Sequence, residues 1–335
     1  MTLGESLLWP LTLPYGAAVR LRARAYRAGV LRAKRLDGTV ISVGNLTMGG
    51  TGKTPMVLWT AERLLADGKK VGILTRGYRG ETSAAGSTSD EVQLMQERLG
   101  KRAAFGVGAD RFARGQELAK RGVDWFVLDD GFQHLQLARD VNIVLIDAAN
   151  PFGRGHLLPA GRLREPRSAL ARADIIVITR SGRTPAVEAA IRRESDAPVF
   201  YARTQLDSIR IFCGGNPAVE AEDAHRHKFF AFCGIGNPSA FLEDLRDWGL
   251  PVAGHKFFRD HHRYTPQDAR AIEDSAREAG ADALVCTEKD IFNLVDVRIE
   301  SLETFYCRIS MHVDSGDDFW CAILSLAESR ASSHR

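Results

Sequence analysis

A chain of 335 residues exceeds the usual span of one hydrophobic core, so two domains are expected. The formal net charge of +3 is too mild for a protein that coats nucleic acid, and nucleic acid is excluded as a partner on that ground. Five cysteines, Cys213, Cys233, Cys286, Cys307 and Cys321, are odd in number and form no C-x-x-C pair, which excludes a disulfide framework or zinc knuckle and predicts reduced, mostly buried thiols of a cytosolic chain.

Residues 7–19 are apolar but broken by Pro10 and Pro14, too short for a membrane-spanning helix and on the wrong side of the charge for a signal peptide. They precede Arg20, Arg22, Arg24, Arg27, Arg32, Lys34 and Arg35, seven cations in sixteen positions with no acid among them. An apolar wedge followed by such a stretch suits a segment lying in the interface of an anionic membrane, with Trp9 and Tyr15 at headgroup level. A helix packed on the domain with solvated arginines is the plainer alternative.

The centre of the chain is residues 40–59. The β-branched run 40–43 reads as a buried strand; Gly49, Gly50 and Gly52 then make a dense turn, and an apolar-periodic helix follows over 53–66. This is the layout of a phosphate-binding loop, in which backbone N–H groups wrap a polyphosphate and glycines let the backbone come close. Thr47, Met48, Gly49, Gly50, Thr51, Gly52, Lys53 and Thr54 are the candidate nucleotide-binding residues. Lys53 is placed to reach the terminal phosphates and Thr54 to hold magnesium, while Pro55 fits the first helical turn. The strict G-x-x-x-x-G-K-[ST] pattern is not met, because its first glycine falls at Thr47.

A second buried strand, 71–75, ends in Arg76-Gly77-Tyr78-Arg79-Gly80, either an ordinary loop or a tip aimed at the phosphates from a strand's carboxyl end. Residues 81–89 are a soft linker. Ser89 or Asp90 caps a helix over 91–99, which is the reading of Asp90 that sequence alone favours. A helix over 111–121 leads to a strand that ends in Asp129 and Asp130, where a nucleotide-binding sheet places the carboxylate that orients magnesium. Strands 142–147 and 174–179 complete a parallel set. Between them, residues 152–166 carry too many glycines and prolines for regular structure and too many arginines for a bland turn, which predicts a functional loop whose arginines face phosphoryl charge.

From about residue 185 the alternation restarts, with strands expected at 198–202, 228–233, 255–258 and 283–287. Gly234-Ile235-Gly236-Asn237-Pro238 is a turn and helix start, not a dinucleotide loop. Asp260-His261-His262 lacks the spacing of a metal site; it is either a polar loop before the helix at Thr265-Pro266 or a proton handler. The domains are therefore 1–36, a membrane-associating segment; 37–184, a nucleotide-binding core; and 185–335, a C-terminal α/β lobe closing a cleft.

Taken together, V-G-N-L-T-M-G-G-T-G-K-T-P, T-R-G-Y, S-D-E-V, D-D-G-F-Q-H, L-P-A-G-R-L-R-E-P, F-C-G-I-G-N-P, D-H-H-x-Y and T-E-K-D occur in an order that resembles the tetraacyldisaccharide 4'-kinase family. The resemblance implies a P-loop NTPase-like parallel sheet domain with a second, smaller α/β domain. It implies a kinase that moves the γ-phosphate of ATP, with Mg2+, onto the 4'-hydroxyl of a tetraacylated glucosamine disaccharide 1-phosphate to form lipid IVA, on the cytoplasmic face of the inner membrane. It also makes Asp90 and His261 the catalytic pair, assigns Asp129 and Asp130 with Thr54 to the metal, and brings Arg76, Gln133, His134, Arg164 and Glu165 to the nucleotide side. Arg162 departs from the pattern, which has proline there. A nucleotide-switch ATPase of the partition or cofactor-maturation kind shares G-G-x-G-K-T but carries lysine where this chain has Met48.

Overall fold

The computed structural model describes residues 3–77, 89–180, 182–212, 219–221, 223–294 and 297–332. Tyr78 to Gly80, the soft linker up to residue 88, and Cys213 lie outside the described residues. The elements in chain order are α1 (Leu3–Arg27), β1 (Thr39–Asn45), α2 (Lys53–Ala66), β2 (Val71–Thr75), α3 (Asp90–Leu99), β3 (Ala103–Val107), α4 (Arg111–Ala119), β4 (Trp125–Asp129), β5 (Val141–Asp147), β6 (Ile175–Thr179), α5 (Pro185–Arg192), β7 (Val199–Ile211), β8 (Val219–Glu220), β9 (Phe229–Cys233), α6 (Pro238–Asp247), β10 (Val252–Phe257), α7 (Pro266–Glu278), β11 (Ala283–Thr287), β12 (Glu303–Val313) and α8 (Gly316–Ser332).

The chain divides into two units. The first comprises the described residues within Met1–Ser87, Met95–Thr204 and Met311–Arg335. Its strands run β7-β6-β5-β1-β4-β2-β3, all parallel. Strands β2, β5 and β6 are buried along their whole length, which is why their sequences are continuous apolar runs without alternation. Strand β1 lies between β4 and β5, so the order reverses at β1 and the loop leaving its carboxyl end sits at the topological switch point. Leu46, Phe132, Val144, Ile146, Leu163, Leu170, Ile176 and Ile178 form a core over one part of this sheet.

The second unit comprises Thr88–Leu94 and Gln205–Ser310 in their described parts, with strands ordered β10-β9-β11-β12, again parallel. Phe229, Ala231, Val285 and Phe305 face α6 in one core, and Phe232, Leu284 and Tyr306 face α7 in another. Helix α7 starts where Thr265 and Asp268 close a reciprocal capping box.

The division differs from the boundaries read off the sequence. The stretch 185–204 belongs to the first unit because Val187 and Ile191 of α5 enter its core and β7 extends its sheet beside β6. The chain also returns there at its end: Phe319 and Trp320 of α8 pack on Trp59 of α2, and Arg330 forks onto Asp174. Cys233, Cys286 and Cys307 are buried free thiols, and Cys321 is exposed.

Helix α1 is continuous through Pro10 and Pro14. Trp9, Leu11 and Leu13 are exposed, the last two at 56% and 61%. Tyr15, expected beside Trp9 at headgroup level, instead turns inward and its hydroxyl donates to the Arg164 carbonyl at 2.8 Å. Among the described residues no helix is long and apolar enough to cross a membrane.

Candidate active site

The turn after β1 is braced from three sides. Asn45, the last residue of β1, donates from Nδ2 to Thr51 Oγ1 at 2.9 Å, and its Oδ1 accepts from Lys53 Nζ at 3.4 Å. The Thr51 carbonyl accepts from Thr179 Oγ1 at 3.1 Å. The third brace is the segment 162–164: the Met48 N–H donates to the Arg162 carbonyl and the Arg164 N–H to the Leu46 carbonyl, each at 2.8 Å, with Thr47 bridged to Leu163. Gly52 takes φ 83, a left-handed conformation that glycine adopts without a Cβ penalty and that turns the chain into α2. Helix α2 has no side-chain cap and no acid in its first turn, so its N–H groups and dipole are left for an anion. Thr54 is buried there, whereas Met48 is 47% exposed.

Pairing of β4 beside β1 sets Asp129 level with Val43. Asp129 is only 6% exposed, and its Oδ2 accepts from Thr75 Oγ1 at 3.0 Å. Asp130 sits at φ 49, costly for a residue with a Cβ, and is held by Arg164 Nη1 at 2.6 Å and by Lys53 Nζ at 3.6 Å. Gln133 donates to the Asn45 carbonyl at 2.9 Å and to Glu165 Oε1 at 3.3 Å. Both oxygens of buried Glu165 are forked by Arg172 at 2.8 Å. Gln133 and Glu165 thus brace β1 and Arg164 from behind. Burial, followed by the charges of Arg111, Arg139 and Arg22, holds His134 down at about pH 4, so its ring is neutral at pH 7. Arg76 is exposed at the end of β2.

Sequence reasoning did not single out Asn45, Thr75 or Arg111. Arg111 is buried at the start of α4, where one guanidinium nitrogen donates to the Ala109 carbonyl at 3.1 Å and Nε has no acceptor. Burial lowers its pKa, Arg76 lowers it further, and Asp130 and Asp129 oppose the shift, so all three charges lie in its field. Nothing in the sequence marks an arginine at a helix start as buried.

In the second unit, Asp90 and His261 meet. Asp90 opens α3 and is 7% exposed; both of its oxygens lie 2.9 Å from His261 Nδ1, and Oδ1 also accepts the Glu91 N–H at 2.8 Å. The capping oxygen for Val92 comes from Ser89, at 3.4 Å. The hydrogen bond that His261 gives to Asp90 raises the His261 pKa; burial opposes it, and the charges of Asp90, Asp260 and Glu91 add to the rise. An Nδ1–H given to Asp90 leaves the lone pair on Nε2, which has the Asp260 carboxylate at 3.8 Å, the arrangement of a general base with its orienting carboxylate. His262 plays another part: it stacks on Phe258 and meets Asp268 at 3.1 Å.

His261 stands at φ 59, fixed by its N–H to the Gly234 carbonyl at 2.9 Å. Gly234 in turn donates to buried Asp290 at 2.7 Å, as does the Tyr264 hydroxyl, and Thr287 gives Asp290 two further bonds. Replacing Asp290 with alanine strands these buried donors. We expect stability to fall by about 2–4 kcal/mol in urea unfolding, with turnover falling alongside it as the His261 turn loosens. An Asp290→Ala variant with unchanged midpoint would show that the hub does not hold the turn.

Among the described residues no group of three or more His, Cys, Asp and Glu side chains is placed to hold a metal by itself. Thr54 and Asp129 offer the few hard oxygens that suit magnesium carried mainly by phosphates.

Residues 4–328 match the sequence profile of the family described as tetraacyldisaccharide-1-P 4'-kinase. A tetraacyldisaccharide 4'-kinase of Geobacter metallireducens is 42% identical over 307 residues, covering 86% of this chain and 88% of that one. The corresponding protein of Geobacter sulfurreducens is 41% identical over 307 residues, covering 86% and 83%. The crystal structure of LpxK from Aquifex aeolicus in complex with ATP superposes with a TM-score of 0.73 at 27% identity, covering 97% of this chain and all of that one. The switch-ATPase alternative is not favoured. A loop at the switch point of a parallel sheet, with its lysine and paired acids in place, and a sequence match along almost the whole length place this chain in the tetraacyldisaccharide-1-P 4'-kinase family.

Proposed function

We infer that the chain transfers the γ-phosphate of ATP to the 4'-hydroxyl of a tetraacyldisaccharide 1-phosphate, forming lipid IVA. The observation that carries the chemistry is Lys53, held by Asn45 and Asp130 at the mouth of a glycine turn whose helix N–H groups are left uncapped. Phosphoryl transfer asks for positioning and charge neutralisation more than for covalent chemistry. The turn from Thr47 to Thr54 wraps the phosphate tail and Lys53 supplies a point charge. Thr54 and Asp129 would hold Mg2+, which when bound neutralises phosphate charge, while Asp130 is the second acid of that region and keeps Lys53 and Arg164 in place. Arg76 lies in the field of Arg111; Gln133, neutral His134 and Glu165 keep the nucleotide side in register.

His261 takes the proton of the sugar hydroxyl at Nε2, and Asp90 holds the ring and stabilises its protonated form. Phosphorus NMR of the product formed from ATP and the disaccharide 1-phosphate tests the regiochemistry. A new monoester coupled to the 4' proton is expected; a monoester at any other carbon would contradict the reading.

The acyl chains of such a substrate stay in a bilayer, so the enzyme must dock on one. Exposed Trp9, Leu11 and Leu13 followed by exposed Arg20, Arg24 and Arg27 support docking of α1 on an anionic surface, here the cytoplasmic face of the inner membrane. The triple variant Trp9→Ser, Leu11→Ser, Leu13→Ser in the full chain is expected to lose flotation with phosphatidylglycerol vesicles. Undiminished flotation would remove α1 from that role.

A further inference from the structure

The side chain of Arg162 lies on the phosphate loop. Nη2 of Arg162 stands 2.7 Å, and Cζ 3.5 Å, from the place a Cβ would occupy on Gly49, so the guanidinium rests in the space that this glycine leaves open. Gly49 itself takes φ 120. We propose that Arg162 is a second nucleotide-contacting cation, set over Gly49 to bind the terminal phosphates of ATP; this rests on the reading of that loop as the ATP site.

An exposed arginine is ordinarily just solvated. Three features set this one apart. Its backbone is clamped to the loop by the Met48 N–H bond to its carbonyl and by the Thr47–Leu163 bridge, and Gly153 at φ 52 packs against its Cβ, so the root of the side chain does not wander. Second, Arg164, Arg172 and Arg180 around the site are each matched by a carboxylate, Asp130, Glu165 and Asp147 respectively. Among the described residues Arg162 makes no ion pair and no side-chain hydrogen bond, so its charge is uncommitted. Third, Lys53 shares Asp130 at 3.6 Å, so part of its charge is already engaged, and a second cation at the loop adds to what faces an anion there. A planar fork that can grip two phosphate oxygens meets that need.

The Arg162 N–H donates to no described acceptor, so alanine or proline at 162 removes the guanidinium without breaking a backbone bond. Calorimetric titration of ATP into the full chain is expected to show a Kd about 10-fold higher for Arg162→Ala and Arg162→Pro, with Arg162→Lys in between and melting temperatures unchanged. The KM for the lipid substrate should not move. ATP affinity equal to wild type in Arg162→Ala overturns the proposal, as does a rise in the lipid KM alone, which would assign the guanidinium to the phosphate of the lipid. Lys53→Ala is the control for the underlying reading: if it loses ATP while Arg162→Ala does not, only the Arg162 assignment fails, and if the wild type binds no ATP, the loop reading fails with it.

Discussion

Lys53→Ala is expected to reduce kcat by about 10²–10³-fold, the scale on which a single preorganised charge at a developing anion acts. The residue begins α2 and its ammonium is poised by Asn45 at 3.4 Å and Asp130 at 3.6 Å, so it costs little reorganisation when phosphates arrive. Its removal leaves Asp130 with Arg164 at 2.6 Å, and the fold should therefore survive. The check is a steady-state assay alongside thermal melting: a large loss of kcat with an unchanged melting curve is predicted. A variant that keeps wild-type turnover would mean that phosphate charge is carried elsewhere.

The second large effect belongs to the Asp90–His261 pair. His261→Ala should lower kcat by about 10²–10⁴-fold, the range of general acid–base contributions. The pH dependence carries a sign that a merely structural histidine would not produce. Asp90 and the neighbouring acids stabilise the imidazolium and raise the His261 pKa above its usual value of 6.5. Below that raised pKa the base is protonated and idle, so kcat climbs with pH and its acidic limb lies above 6.5. Asp90→Asn removes the leading cause of the shift and should move the limb downward while lowering the plateau. The same linkage works oppositely on folding: the pair contributes its stability in full below pH 6.5 and loses it as pH rises through the folded pKa. A profile unchanged in Asp90→Asn would separate the carboxylate from the chemistry.

How far the sequence discloses this molecule depends on how local each signal is. The phosphate loop is legible because strand, glycine turn, lysine and helix are contiguous, and α2 spans the residues predicted for it. Asp129 is legible as a strand-end acid. Asp90 is not, since its partner is 171 positions away and its local grammar is that of a helix cap. Only the family resemblance joined the two. Strand β3 carries no sequence signal because its short A-A-F-G-V run lacks a continuous apolar signature, and β7 runs on to Ile211, beyond the strand expected at 198–202. The return of α8 to the first unit rests on Phe319 and Trp320 meeting Trp59, a long-range packing event that no local pattern encodes. Burial of Arg111 and the bonds from Asn45 and Thr75 are likewise products of the assembled sheet.

Transfer of radiolabel from γ-labelled ATP to tetraacyldisaccharide 1-phosphate in mixed micelles tests the central claim most directly. Label in a bisphosphorylated lipid, abolished by Lys53→Ala and severely reduced by His261→Ala, is the predicted result. Label that remains in ATP or appears only as inorganic phosphate with the wild-type chain would contradict it.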